Sequence, residues 1–229
     1  MNSEAAYLAE RRRQMVEADL RERGLRDPRV LAAMSRVPRE EFVPDSLRDV
    51  AYDDRPLPIG FGQTISQSFT VAFMLDALSL CGGENVLEIG TGSGYTAAIL
   101  SRLARVVHTV ERVPELAGEA ESRLHRLRYD NVHVHLSDGT LGLPEHAPFD
   151  AIVVTAAAKA LPPPLRDQLT VGGRIVIPIG DSGGQTLYRF TNTEDGFESE
   201  ILGRFAFVPL IGCYGQHATT GRHEDMIAW

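Results

Sequence analysis

A short, mostly apolar run, Asn85-Val86-Leu87-Glu88-Ile89, breaks into Gly90-Thr91-Gly92-Ser93-Gly94 before the chain resumes at Tyr95. Glycine at every second position after such a run is the pattern of a strand feeding a tight turn. The glycines accept the positive or crowded backbone angles of the turn and leave bare backbone for a ligand to lie against. Tyr95 to Leu103 then reads as a helix whose first amides face that ligand. After a gap of about 20 residues, the spacing at which nucleotide-binding units place a ribose-binding acid, the apolar Val106, Val107 and Val110 stop at Glu111. A carboxylate there can hold the two hydroxyls of a ribose. The pattern predicts a nucleoside site.

Gly92-x-Gly94-x-x-Ala97 also satisfies the dinucleotide fingerprint, so the glycines leave the choice of nucleoside open. Two carboxylates favour S-adenosylmethionine: Glu88 just before the first glycine, and Asp138 closing the next apolar run. A pyrophosphate is repelled by an adjacent anion, whereas an ammonium and a sulfonium are attracted to one. A nicotinamide dinucleotide remains the competing reading.

Downstream the pattern alternates, with strands expected at 85–89, 106–110, 132–136, 150–155 and 174–178 and helices at 95–103, 114–127 and 161–169. This predicts an α/β fold with a doubly wound, mostly parallel Rossmann-like sheet, its ligand crevice at the carboxyl ends of the strands. Gln185 to Phe190 and Ile201 to Pro209, flanking Thr193-Glu194-Asp195-Gly196, read as an antiparallel C-terminal hairpin. At the other end, Glu4 to Arg23 and Pro28 to Met34 read as helices. Between Phe42 and Phe69, Pro44, Pro56, Pro58, Gly60 and Gly62 predict a long structured loop, the kind of segment that serves as a lid or binding element. A chain of 229 residues with 43% hydrophobic content is expected to form a single domain over 1–229. Within it, 1–80 carries the N-terminal helices and loop, 81–180 the cofactor-binding core, and 181–229 the hairpin and tail.

The formal charge of −8 disfavours a nucleic-acid substrate. No apolar run approaches a membrane span, and Cys81 and Cys213 lack the spacing of a disulfide scaffold or zinc site. A soluble, cytoplasmic monomer with free thiols is expected.

The loop and its surroundings resemble the protein-L-isoaspartate O-methyltransferase family over about residues 11 to 211. Val37-Pro38-Arg39-Glu40-Glu41-Phe42-Val43-Pro44 matches the first segment of that pattern. Pro56-Leu57-Pro58-Ile59-Gly60-Phe61-Gly62-Gln63-Thr64-Ile65-Ser66-Gln67 matches its substrate loop. Ser137-Asp138-Gly139, Pro148-Phe149-Asp150-Ala151-Ile152, Thr155-Ala156-Ala157-Ala158 and Phe207-Val208-Pro209-Leu210 follow in order. The glycine turn is shared by many methyltransferases; the Gln63 to Gln67 stretch is the specific signal. The resemblance implies transfer of a methyl group from S-adenosylmethionine to the free α-carboxylate of L-isoaspartyl residues in damaged peptides and proteins. The ester then closes unaided to a succinimide whose hydrolysis returns some normal aspartate.

Carried over by position, the resemblance makes Ser66 the active-site residue, a donor that orients the substrate carboxylate. Thr64 and Ile65 would border substrate and cofactor, Glu88 and Gly90 would contact the methionine side, and Thr91 and Gly92 would also bind the cofactor. Glu111 would hold the ribose hydroxyls, Arg112 beside it would also bind the cofactor, and Asp138 with the Gly139 amide would meet the adenine edge. Ser68 stands where the family often has proline, which is expected to loosen the start of the helix at Thr70. Beyond Leu210 the match fades, which keeps open a specialised peptide or small-molecule carboxylate as the alternative substrate.

Other clusters have plainer readings. His133 and His135 share a strand face but lack a third ligand at suitable spacing, so they read as surface or cofactor-edge histidines and no metal is expected. Arg11-Arg12-Arg13 reads as a solvated helix face, Asp53-Asp54 as turn residues, and Pro162-Pro163-Pro164 as a rigid helix start.

Overall fold

The computed structural model describes residues 3–181 and 183–216; the end of the expected tail, 217–229, lies outside them. The sheet is built from β3 (Asn85–Ile89), β4 (Val106–Glu111), β5 (Val132–Leu136), β6 (Phe149–Val154), β7 (Leu169–Asp181), β8 (Gly184–Thr193) and β9 (Gly196–Phe205). Their order is β5-β4-β3-β6-β7-β8-β9. Strands β3 to β7 run parallel to their neighbours, and β8 and β9 add antiparallel. The chain winds outward from β3 through β4 to β5, then returns to pair β6 on the other side of β3. That reversal opens a crevice beyond the carboxyl ends of β3 and β6.

The parallel strands are apolar along their length because both faces are covered. Val86, Val107, Ala151, Val153 and Val176 face one core with α2 (Pro28–Arg36), α3 (Ser68–Leu78), α4 (Tyr95–Leu100) and α5 (Pro114–Arg126). Leu87, Ile89, Val110, Ile152, Val154 and Ile177 face a second, smaller core closed by Leu143, Leu165 and Leu210. Truncating a fully buried leucine such as Leu87 to alanine costs about 2–5 kcal/mol.

Several bounds differ from the sequence reading. The first helix, α1 (Ser3–Gln14), continues through Met15–Arg21 with wider π-type turns, in which the Glu22 amide reaches the Glu17 carbonyl at 3.0 Å. Strand β7 is longer than expected because it pairs with β6 on one side and along its far half with β8. The C-terminal hairpin ends at Phe205. The stretch 42–69 is not merely a loop: β1 (Leu57–Gly60) and β2 (Gln63–Ile65) form an antiparallel hairpin. Its tip holds Gly60, Phe61 and Gly62 at φ +90, +52 and +68. Two strands apart from the main sheet tolerate Pro58, which is why the proline did not prevent pairing.

Helix α3 starts at Ser68, two residues earlier than expected, and the Thr70 hydroxyl donates to the Gln67 side chain at 3.3 Å. The Ser68 hydroxyl is buried without a partner among the described residues. The first helical position is where proline, lacking an N–H, is well tolerated. The proline run ends in α6 (Pro163–Asp167), the rigid start expected of it.

Candidate functional site

The glycine turn is fixed by its two neighbouring strands. The Gly90 amide donates to the Val110 carbonyl at 2.9 Å, and the Thr155 hydroxyl donates to the Gly90 carbonyl at 2.8 Å. Gly90, Gly92 and Gly94 take φ of +97, +52 and +88, and a Cβ on Gly90 would overlap the Thr155 hydroxyl. Side chains are excluded there by backbone conformation and by space. Glu111 ends β4 with its carboxylate pinned by three amides: Gly92 at 2.9 Å, Arg112 at 2.8 Å and Val113 at 3.0 Å. Arg112 and Val113 share one oxygen, so it is the oxygen bonded by Gly92 that keeps lone-pair capacity for a further donor.

A cleft of about 880 Å³, counting its open mouth, lies over this turn. Thr64, Ile65 and Ser66 form one wall; Gly90, Thr91, Gly92, Glu111, Arg112 and Gly139 form the other. Val208, Pro209 and Leu210 close the end, anchored by a Leu210 amide bond to the Ala157 carbonyl at 2.8 Å.

Two expected ligand contacts are placed elsewhere. Glu88 is fully buried and its carboxylate is not on the cleft wall. Strand periodicity puts it on the same face as Val86, under the helices, not pointing forward over the strand end. There it accepts from the Thr109 hydroxyl at 2.6 Å, and Thr109 in turn meets the Thr91 hydroxyl at 2.7 Å. Its other oxygen has no partner among the described residues. Burial, reinforced by the charge of Glu111 and opposed by the Thr109 bond, raises its pKa to about 8. Burial thus favours the protonated form of Glu88, which reaches the cleft through Thr109 and Thr91.

Asp138, expected at the adenine edge, is not among the residues that line the cleft, while Gly139 is. One Asp138 oxygen accepts from the Thr140 amide at 2.9 Å and hydroxyl at 2.7 Å; the other accepts from the Cys213 amide at 2.7 Å. Burial raises its pKa, but the Cys213 and Thr140 bonds outweigh it and hold the carboxyl below its ordinary value. The poorly matching segment after Leu210 is thus strapped onto Asp138, a contact across 75 positions that spacing could not reveal.

Arg39 was part of a matched motif but had no role in the sequence reading. Its guanidinium is fully buried, donates to the Ala51 carbonyl at 2.7 Å and the Ser66 carbonyl at 2.9 Å, and lies 4.9 Å from the Tyr95 ring centre. It bridges the Ser66 wall and the helix after the glycine turn. The Arg11 to Arg13 run also departs from a solvated face: Arg12 donates to Glu40 at 2.7 Å and to the Tyr52 hydroxyl at 2.7 Å, and Tyr52 bonds Glu40. Arg11 and Arg23 hold Asp53 and Asp54. These contacts tie the N-terminal helix to the segment that carries Ser66.

The sequence model of the protein-L-isoaspartate(D-aspartate) O-methyltransferase family matches residues 10–214. A Pelobacter propionicus protein-L-isoaspartate O-methyltransferase 2 is 56% identical over 90% of this chain and 92% of its own. A solved protein-L-isoaspartate O-methyltransferase superposes with a TM-score of 0.80 at 29% identity, over 89% of this chain and 67% of its own. A Plasmodium falciparum chain assigned to the same activity, solved with S-adenosyl-L-homocysteine, gives 0.77 at 28% identity over 87% and 98%.

Proposed function

The chain belongs to the protein-L-isoaspartate(D-aspartate) O-methyltransferase family, and from that membership we propose that its cleft methylates the free α-carboxylate of L-isoaspartyl residues in damaged peptides and proteins. The observation that carries this reading is the meeting of the Ser66 wall and the glycine turn in one cleft. S-adenosylmethionine, when bound, supplies a methyl group on a sulfonium, open to in-line displacement by a carboxylate oxygen. The residues present fit it: bare backbone at Gly90 and Gly92, and an anchored carboxylate at Glu111 with free acceptor capacity. Gly90, Thr91 and Gly92 would hold the methionine side, Glu111 and Arg112 the ribose, and the Gly139 amide the adenine edge.

A carboxylate with a pKa near 4 is ionised at pH 7, so the chain has no proton to remove. Its work is alignment and exclusion of water. Ser66 donates a hydrogen bond that orients the substrate carboxylate, and Arg39 fixes the Ser66 backbone from beneath. Thr64 and Ile65 border both ligands, and Val208 to Leu210 cover the cleft's end.

No helix among the described residues is long and apolar enough to cross a membrane. With the charge of −8, this supports action on peptides rather than nucleic acid or membrane. A cytoplasmic monomer, folded as one domain, is the setting we propose. The test is methyl transfer from labelled S-adenosylmethionine to two peptides differing only in an aspartyl or isoaspartyl linkage. Transfer confined to the isoaspartyl peptide is expected; equal transfer to both, or none with cofactor bound, would overturn the reading.

A further inference from the structure

Three imidazoles from three separate elements converge on the thinly covered face of the sheet. Sequence spacing offered only His133 and His135. The fold adds His108, paired in register with His133 on β4, and His146, from the short turn Pro144–His146. The ligating nitrogens of His108, His135 and His146 all lie within 4.8 Å of one another. His108 Nδ1 and His135 Nε2 are 3.1 Å apart, and the His146 ring stacks on His108 with centres 4.2 Å apart. The turn is held in place by Asn85, whose side-chain amide donates to the His146 and Pro148 carbonyls, each at 3.0 Å. Phe149 lies edge-on to His108 at 6.1 Å and gives the cluster a dry wall.

We propose that His108, His135 and His146 bind one divalent transition-metal ion, zinc, with the fourth position open to solvent. In a tetrahedral site with bonds of about 2.0–2.1 Å, neighbouring ligand nitrogens lie about 3.3 Å apart. The His108 to His135 separation is close to that, and exposed His146 joins by swinging out of its stack on His108. The set contains imidazole nitrogens and neither thiolate nor carboxylate, which suits zinc and its neighbours and gives calcium and magnesium no oxygen ligands.

The site lies about 10 Å before Glu111 along β4, taking about 3.3 Å per residue. It is a clip that ties edge strand β5 and the 144–146 turn to β4. The proposal stands apart from the methyl-transfer reading, since none of the three histidines lines the cleft.

The experiment is calorimetric titration of the chelator-stripped full chain with zinc chloride, with melting temperature measured in parallel. One equivalent is expected to bind with Kd of about 10 μM or tighter, and the melting temperature should rise by several degrees at about 100 Kd. His135→Gln and His146→Gln should each weaken binding roughly tenfold or more, while methyl transfer persists. His125→Gln, on α5 outside the cluster, should bind as the parent does. No heat up to about 100 μM zinc, well above that Kd on the affinity scale, would overturn the proposal. So would equal affinity in the parent, His135→Gln and His146→Gln, which would place the ion elsewhere.

Discussion

On the cofactor side of the cleft, Gly90 and Glu111 are fixed by strand neighbours and by amides within the same turns. On the substrate side, Ser66 is fixed by a guanidinium that comes from 27 positions earlier. The first wall is backbone held by strand neighbours and by two side chains at strand ends, Glu111 and Thr155, so glycine cannot be replaced there. The second is held by a few buried polar side chains, so its geometry depends on Arg39 and on the Arg12, Glu40 and Tyr52 group behind it. Two walls held so differently should fail largely separately, with the Arg39 to Tyr95 contact as the link between them.

The largest expected effect is on the substrate side. Arg39→Ala leaves the Ala51 and Ser66 carbonyls without a buried donor and opens a cavity, with a loss of about 3–5 kcal/mol. Urea unfolding measures this, and a loss under about 1 kcal/mol, the net worth of a single ordinary hydrogen bond, would remove the clamp from the account.

Gly90→Ala attacks the other wall. Positive φ and overlap with Thr155 should together cost about 2–3 kcal/mol, roughly a hundredfold in affinity for S-adenosylhomocysteine. Calorimetry reads it directly, and unaltered affinity would show that the turn is not the cofactor cradle.

Glu88→Gln probes the neutral acid beneath the turn. A folded pKa near 8 against an ordinary 4.5 means that the folded state keeps a proton the unfolded chain loses. The wild type should therefore lose stability as pH rises from about 4.5 to about 8, by at most about 1.4 kcal/mol per unit, and level off above. The glutamine variant lacks that slope, so its advantage over wild type should grow across this window. Parallel pH profiles would show Glu88 to be ionised in the fold.

Ser66→Ala is the smallest change, roughly a tenfold loss of turnover from poorer alignment, with S-adenosylhomocysteine affinity retained. Unchanged turnover in a steady-state assay would take Ser66 out of the reaction.

The sequence showed most readily what depends on local pattern. Val86 to Ile89, Val106 to Val110 and Ile152 to Val154 read as strands because a sheet covered on both faces demands apolar residues at successive positions. The glycine turn was legible for a related reason, since only glycine adopts its backbone angles in so little space. The β1–β2 hairpin was hidden by Pro58 and the glycines, which mark loops more often than pairing. Glu88 was misread because its place near a strand end outweighed the face on which it lies. Asp138 with Cys213, Arg39 with Ser66, and His146 with His108 were invisible because each partner arrives through the fold from a distant segment.

The most direct test of the two-wall account is Arg39→Lys, which keeps the charge but cannot fork to both carbonyls. On one preparation, affinity for S-adenosylhomocysteine and kcat/KM for an isoaspartyl peptide would both be measured. Affinity should stay within about twofold while kcat/KM falls roughly tenfold, as expected when alignment alone is lost. Parallel loss of both would contradict the account, because the cofactor cradle would then depend on the clamp beneath Ser66.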